Sequence, residues 1–415
     1  MKVLVVNAGS SSVKYYLYNM PRAEVLARGI VERITEGSSE LSHFFHGRTY
    51  TQQTKVENVE NGMELILETL VREDVGVIRN LSDIGAVGHR VVHGGEEFTG
   101  SVIIDETVIM SIEKFADLAP LHNPPNLACI RAVQRRLPDV RQVACFDTAF
   151  HATIPKVAYM YALPYELYER YHIRRYGFHG ISHRYVSRRA AAIMGRAKYD
   201  INAITCHLGN GCSVTAVEKG RSIDTSMGFT PLEGVPMGTR CGDLDPAILF
   251  YLGGKGYDVN ALKMLCNKKS GLFGISGVSN DVRNLVELAE RGDDRAKLAI
   301  DVFCYRIKKY IGAYAAVLGV VDAIVFTGGI GENAVLLRRQ ICGGLTQIGV
   351  ELDPVVNRAA TASEAVISTE DSRVKVFVIP TNEQAAIAND TYELARLKQP
   401  AVSGQNTVGV SHKNE

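Results

Sequence analysis

A chain of 415 residues exceeds what one hydrophobic core usually supports, so two domains with a small-molecule cleft between them are expected. Its 46 Lys and Arg against 45 Asp and Glu leave a formal charge of +1 without a basic block, which gives no electrostatic reason to expect nucleic acid or a membrane surface as partner. No stretch approaches the ~18 apolar residues of a membrane span, and the run Val3 to Val6 is too short for a signal-peptide core, so a cytoplasmic location is expected. Eight Cys, at 129, 145, 206, 212, 241, 266, 304 and 342, contain no C-x-x-C pair and read as free thiols in a reducing compartment.

In chain order, Val3 to Val6 reads as a buried strand, Ser12 to Tyr18 as a second, and Asn7 to Ser11 as the turn between them. Pro124 and Pro125 mark a helix start before Leu127, Ile130, Val133 and Leu137. Val143 to Phe146 is a strand that ends at Asp147. Ser182 is a candidate cap for a helix from Tyr185 to Met194. Ala203 to His207 and Ser213 to Val217 repeat the strand, Gly-rich turn, strand pattern of the N-terminus, which suggests two related halves. A long helix runs from Asp294 to Leu318 with an apolar stripe at Leu298, Val302, Tyr305, Ile307, Ile311, Tyr314 and Leu318, and stops at Gly319. Strands Ala323 to Phe326 and Val374 to Ile379 follow, separated by the helix Ala334 to Ile341. The pattern is that of an α/β protein with mixed sheets flanked by helices. The boundary is placed near residue 150, and the polar tail 398–415 is expected to be disordered.

Three Gly-rich turns follow apolar strands, at Asn7 to Ser12, His207 to Gly211 and Gly328 to Asn333. Glycine lets backbone N–H groups approach an anion, and phosphate is the obvious one. One such turn is commonly just a hairpin; three together favour the phosphate reading. None is a Walker A or a dinucleotide Gly-x-Gly-x-x-Gly motif. His89, Arg90, His93, His122, His179, His183, His207 and Arg240 form a second set in loop-like contexts, without the spacing of hydrolytic zinc or the elbow of a serine hydrolase. Asp147 and Glu383, at strand ends, suit Mg2+ directly or through water, with a helix cap as the structural alternative for each. Asp243 and Asp245 read as loop architecture.

The segment Asn7-Ala8-Gly9-Ser10-Ser11-Ser12-Val13-Lys14 resembles the opening signature of the acetate kinase family, and Arg174 to Ser182, with Phe178-His179-Gly180, resembles its second. Gly88 to Gly95, Phe146 to His151, Met237 to Arg240 with Gly242-Asp243, and Gly328 to Asn333 match further motifs in the family's order, so the likeness spans residues 1 to 397.

That resemblance implies two duplicated actin-like ATPase domains closing on ATP across an interdomain cleft. The first would comprise residues 1–150 with the C-terminal helix 384–397, and the second residues 151–383. It implies a homodimer as well. Carried over by position, Asn7 and Glu383 are associated with Mg2+, or Mn2+ in its place. Lys14, His207, Leu208, Gly209, Asn210, Gly211, Asp281, Val282, Arg283, Gly329, Ile330, Gly331, Glu332 and Asn333 contact the nucleotide. Arg90 holds the substrate, Asp147, His179 and Arg240 are catalytic, and His122 lines the site. Val92, Leu121, Phe178 and Pro231 form a small apolar pocket for a methyl group. Cys241 and Cys212 stand where the family usually has Ser and Ala, and Cys241 beside Arg240 is a candidate for thiol-reagent sensitivity.

The implied reaction is reversible transfer of the ATP γ-phosphoryl group to acetate, giving acetyl phosphate and ADP. A carboxylate is already ionised at neutral pH and needs no general base. The difficulty is repulsion between anions, which Mg2+, Arg90, Arg240 and His179 would offset. The nearest rival is a propionate or other short-chain acyl kinase. A more distant one is an actin-like or chaperone ATPase, which would leave the Arg and His cluster without a purpose.

Overall fold

The computed structural model describes residues 1–197 and 200–397, so the expectation for the tail 398–415 lies outside the described residues. Two mixed sheets organise the chain, as expected. The first contains β1 (Lys2–Ala8), β2 (Ser12–Asn19), β3 (Glu24–Glu32), β4 (Ser39–Phe45), β5 (Arg48–Thr54), β6 (Ile84–Val91), β7 (Val102–Ile103) and β8 (Arg141–Phe146), in the order β5-β4-β3-β2-β1-β6-β8-β7. The second contains β9 (Ala203–Leu208), β10 (Cys212–Glu218), β11 (Arg221–Thr225), β12 (Ala323–Thr327), β13 (Ala365–Val366) and β14 (Lys375–Val378), in the order β11-β10-β9-β12-β14-β13.

The repeat glimpsed in the sequence is a repeat of topology. In each sheet the opening strand pairs antiparallel with the next through a Gly-rich turn and parallel with a later strand, and a further parallel strand carries a short antiparallel edge. The parallel strands β1, β6 and β8 are apolar almost throughout because helices cover both faces. Helices Val59–Leu70 and Asn123–Arg136 pack on one face of the first sheet, burying Met63, Ile66, Leu67, Ile130 and Val133. The C-terminal helix Glu383–Arg396 returns to the opposite face, where Ile387 and Ala388 meet Val3, Val5 and Ala86.

The helix Asp294–Leu318 has the expected length: Asp293 caps it by accepting from the Ala296 N–H, and Gly319 leaves it at φ 70°. The C-terminal half of the expected stripe, Ile307, Ile311, Tyr314 and Leu318, is buried, but in the N-terminal half Leu298 and Tyr305 are exposed and Ala296, Ile300 and Phe303 take the inner face. Ala296, Ala299 and Cys304 share the inner face there with Ile300 and Phe303, so counting large apolar residues misplaced only the first half of the stripe. Two helix starts also differ. The helix expected from Tyr185 begins at Gly180 and ends at Ile193, with His179 rather than Ser182 at its cap position. The turn Gly328 to Asn333 is itself one short helix, followed by Val335–Cys342.

Candidate functional site

Because β1, β6 and β8 run parallel, their C-terminal ends lie along one edge, where they bring Asn7, Arg90 and Asp147 together. Arg90 Nε donates to Asp147 Oδ1 at 3.0 Å, Nη2 donates to Oδ2, and Nη1 donates to Asn7 Oδ1 at 3.2 Å. Three of the five guanidinium N–H groups are thereby fixed and two remain for a ligand. Burial works against the Arg90 cation, but Asp147 and then Glu383 outweigh it and raise its pKa. The helix-cap reading fails for both carboxylates. Thr148, not Asp147, precedes the short helical turn Ala149–Thr153. Asn382 caps the C-terminal helix by accepting from the Ala385 N–H at 3.0 Å, leaving Glu383 to face Arg90, Asp147 and Lys14. Burial and then Asp147 push Glu383 up to about 7 against the pull of Arg90 and Lys14.

His179 faces this cluster from the second half. Its backbone is left-handed, at φ 58°, a strained conformation for a residue with a side chain. The flanking glycines permit the approach: Gly177 has φ 76°, and a Cβ at Gly180 would sit 2.2 Å from the Asp147 carbonyl oxygen, whose hydrogen bond from the Gly180 N–H measures 2.9 Å. The His179 ring stacks on His207 with centroids 4.2 Å apart. Burial, followed by His207, His183, Arg90 and Arg240, holds His179 well below the usual histidine range, and burial alone leads in bringing His207 down to about 4. Both rings are therefore neutral at physiological pH. His122, at the cap position of Asn123–Arg136, is lowered by burial and by Arg90.

Arg240 differs from Arg90. Its Nη1 donates to the Pro231 carbonyl, and among the described residues no carboxylate pairs with it. A Cβ on Gly211 would meet Arg240 Nη2 at 3.1 Å and His179 Nε2 at 3.3 Å, so these two nitrogens converge on one glycine. An unpaired guanidinium beside an imidazole edge is an anion receptor.

From Gly209 and Asn210 the site opens into a cavity of ≈ 970 Å³. Asp281, Val282, Arg283, Gly329, Ile330 and Asn333 also line it, uniting three segments separated in sequence. Asp281 caps the helix Val282–Glu290 and pairs with Arg283 at 2.7 Å. Several expected contacts lie behind the lining. Leu208 is buried in the core, and Gly331 offers its carbonyl to the buried Arg338. Glu332 accepts from the N–H groups of Gly328 and Thr381, tying two strand-end loops together. Lys14 is exposed on β2, opposite Asn7 in the strand register.

Of the expected apolar pocket, Val92 and Phe178 are buried in one cluster with Ala119, Leu208 and Met237, and Pro231 is half-buried. Leu121 is 59% exposed and leaves that wall open. Sequence reasoning missed the amides that hold the pocket in place. Asn126 accepts from the Val92 N–H and donates to the Ala8 carbonyl, and Asn123 accepts from the His93 N–H and donates to its carbonyl. Two Asn three residues apart on one helix face were the available signal. Asn280, 3.4 Å from Asn210 Oδ1, also lines the cavity unforeseen. Asp243 is loop architecture as read, bonded to the Gly234 N–H and Tyr310.

The Acetokinase family model matches residues 2–389. An acetate kinase of Halothermothrix orenii is 53% identical over 393 residues, covering 94% of this chain and 98% of the relative. The crystal structure of an acetate kinase from Porphyromonas gingivalis superposes with a TM-score of 0.91 at 46% identity, covering 95% and 99% of the two chains. A propionate kinase from Francisella tularensis reaches 0.89 at 42% identity, with coverage of 95% and 99%.

Proposed function

From the premise that the chain belongs to the acetokinase family, we propose that the cleft joins the ATP γ-phosphoryl group to the carboxylate of acetate. The chain is a kinase with a carboxylate acceptor and uses ATP and ADP. The observation that carries the reading is that His179 lies between the Asn7, Arg90, Asp147 and Glu383 cluster and Arg240, whose guanidinium it joins beside Gly211, next to Gly209 and Asn210 where the ≈ 970 Å³ cavity begins. One side suits a small anion, the other a nucleotide.

The two free N–H groups of Arg90 bind the acetate carboxylate, and Asp147 holds the guanidinium in plane. Val92 and Phe178 receive the methyl group, with Pro231, Leu121 and His122 at the rim. ATP occupies the cavity with its phosphates toward Gly209 to Gly211 and Lys14. The acetate oxygen then attacks in line, while Arg240 and the neutral His179 N–H stabilise charge on the phosphoryl oxygens in flight. No side chain has to remove a proton.

The donor set suits a hard divalent cation. Such an ion can be held by few protein oxygens, with water and substrate phosphates completing its shell. Asn7 and Glu383 would hold Mg2+, or Mn2+, and the ion supplies charge neutralisation to the phosphates when bound. The cost of burying the Glu383 carboxylate beside Asp147 is relieved by such a partner.

The same reading divides the chain into residues 1–150 with 384–397 and residues 151–383. It makes the protein a cytoplasmic homodimer through the second unit, where Phe250, Tyr251, Val259 and Tyr305 are each more than half exposed. Propionate is the alternative acceptor, favoured by the likeness to the Francisella tularensis enzyme. A hydroxamate assay with acetate, propionate and butyrate separates them. ATP turnover that needs no added acid would remove the whole reading.

A further inference from the structure

His183 is assigned no reactant of its own, yet it is fully buried behind His179 and His207, with ring centroids 6.5 and 6.3 Å from theirs. Its Nδ1 lies 2.7 Å from Thr205 Oγ1 and its Nε2 lies 2.7 Å from Ser213 Oγ, and Ser213 Oγ lies 2.8 Å from His179 Nδ1. Thr205 and Ser213 are themselves fully buried, on neighbouring strands β9 and β10. Four groups from three elements thus form one hydrogen-bonded line ending at the site.

A hydrogen count orients that line. Ser213 owns one hydroxyl hydrogen and has an imidazole nitrogen on either side, so it donates to one ring and accepts from the other. Burial holds both rings well below the usual histidine range, so each is neutral and carries a single N–H. Two arrangements remain. If His179 donates from Nδ1, then Ser213 donates to His183 Nε2 and His183 donates from Nδ1 to Thr205. The Thr205 hydrogen is then left in the core without an acceptor, because among the described residues His183 is the hydroxyl's hydrogen-bond partner. In the opposite arrangement Thr205 donates to His183 Nδ1, His183 Nε2–H donates to Ser213, and Ser213 donates to His179 Nδ1. No hydrogen is orphaned. Buried donors without partners are rarer than underused acceptors, so the second arrangement wins.

We propose that His183 is a positioning residue that fixes the tautomer of His179, through Ser213, with the proton on Nε2. That nitrogen is the one beside Gly211 and Arg240 Nη2, so the ring presents an N–H to the phosphoryl oxygens. The alternative tautomer would present a lone pair to an anion. The neighbouring ring is held in a similar way, with His207 Nδ1 tied 2.8 Å from Ser182 Oγ, itself 2.8 Å from Thr381 Oγ1. Burying Ser182 within the helix that begins at Gly180, and not at its cap, is what permits this.

The inference rests on the reading of His179 as a phosphoryl-facing donor, and its test separates the two. Ring-15N-labelled histidine in the full chain, with the His179 signals assigned by their loss in His179→Ala, reports the tautomer directly. The expected result is a proton on Nε2 and a bare Nδ1. A proton on Nδ1 overturns the proposal without recourse to any variant. In kinetics, His183→Leu is expected to lower kcat roughly 10- to 100-fold with KM for acetate and ATP within about threefold, the scale at which outer partners of an oriented imidazole act. His183→Gln keeps a donor near the Nε2 position and is expected to recover most of that loss. Equal losses in both variants assign His183 to packing and overturn the proposal. Should His183→Leu fail to fold, Ser213→Ala cuts the same line and is expected to give a mixed His179 tautomer; an unchanged tautomer overturns it. If His179→Ala keeps its turnover, the catalytic reading falls while the tautomer result stands.

Discussion

The two halves share one strand connectivity and use it oppositely. Their opening hairpins have equal turns, Gly9 to Ser11 between β1 and β2 and Gly209 to Gly211 between β9 and β10. In the first half the neighbouring strand ends carry charge, Arg90 near the end of β6 and Asp147 just after β8. In the second half the corresponding end of β12 opens into Gly328 and Gly329 and the wall of a ≈ 970 Å³ cavity. Side chains work where the ligand is small and must be held by a few contacts. Backbone and space work where the ligand is large and polyanionic. The division is imperfect in two places: Arg240 brings a charge from the second half, and Glu383, after β14, reaches the charged cluster of the first.

The largest test concerns the first exception. Arg240→Ala is expected to lower turnover by roughly 10² to 10³ while leaving the fold intact, the range for removing one preorganised charge-stabilising group. Arg240 makes no ion pair among the described residues, so its loss orphans no carboxylate. Near-normal acetyl phosphate formation by the folded variant would mean that the second half works through backbone alone.

Glu383 tests the second exception. Glu383→Ala is expected to raise the Mg2+ requirement roughly 10- to 100-fold and the acetate requirement much less, read from kinetics at varied metal concentration. Since burial raises the folded-state pKa to about 7, the carboxyl is mostly neutral below that pH, and metal must displace a proton. The parent's Mg2+ requirement therefore rises as pH falls from 8 to 6, approaching about tenfold per unit at the acid end. The stability sign is the reverse. A raised pKa contributes stability that is present below the unfolded value and lost as pH rises through about 7. Without metal, Glu383→Gln is thus expected to gain more in Tm relative to the parent at pH 8 than at pH 5. A pH-independent difference would show that the carboxyl is not desolvated.

How much of this contrast was legible in the sequence follows from what sequence patterns encode. Apolar runs and glycines record strands and turns, so Asn7 to Ser12, His207 to Gly211 and the ends of β8 and β12 were readable. Partners distant in the chain leave no periodic trace. Ser182 looked like a cap because Ser before an apolar run usually is one, yet its hydroxyl serves His207, 25 residues away. Glu332 sat inside a phosphate-like turn but clamps Thr381, 49 residues on. Leu121 matched a pocket motif by order, whereas its exposure depends on how the helix Asn123–Arg136 meets the cleft.

A smaller effect is expected at the acyl pocket, which only the first half supplies with a β-branched wall. One methylene in an apolar pocket is worth about 1 to 3 kcal/mol of discrimination, so propionate should trail acetate by roughly 10 to 200-fold in kcat/KM. Val92→Ala opens space beside Phe178 and is expected to narrow that gap about fourfold, corresponding to roughly 0.8 kcal/mol per methylene. The open wall at Leu121 favours the lower end of the range. A parent that prefers propionate would reassign the acceptor, and an unchanged ratio in the variant would show that Val92 does not set acyl length.

The smallest effect is expected at Cys241, and the reason lies in the same contrast. The site thiols, Cys212 and Cys241, belong to the second half, close to Arg240, and that proximity made Cys241 a candidate for thiol-reagent sensitivity. The structure argues against it. Burial, and then Cys266, pushes the Cys241 thiol up to about 12, and its Sγ donates to the Gly242 carbonyl at 3.2 Å. Cys212 is likewise pushed up to about 12 by burial and donates to the Gly209 carbonyl at 3.1 Å. Arg240 turns its guanidinium toward Gly211 and Pro231, so its charge serves the cleft. The thiolate is the nucleophile, and at pH 7.5 such a thiol is ionised to only about one part in 10⁴ or less. Cys241→Ser is therefore expected to keep kcat within about twofold, the scale of a substitution that removes no charge-stabilising group. Iodoacetamide should inactivate parent and variant at similar slow rates. Rapid inactivation of the parent, absent in Cys241→Ser and prevented by ATP, would show that the loop holding Arg240 opens enough to expose the thiol, and that the charge beside the cleft is less fixed than its hydrogen bonds imply.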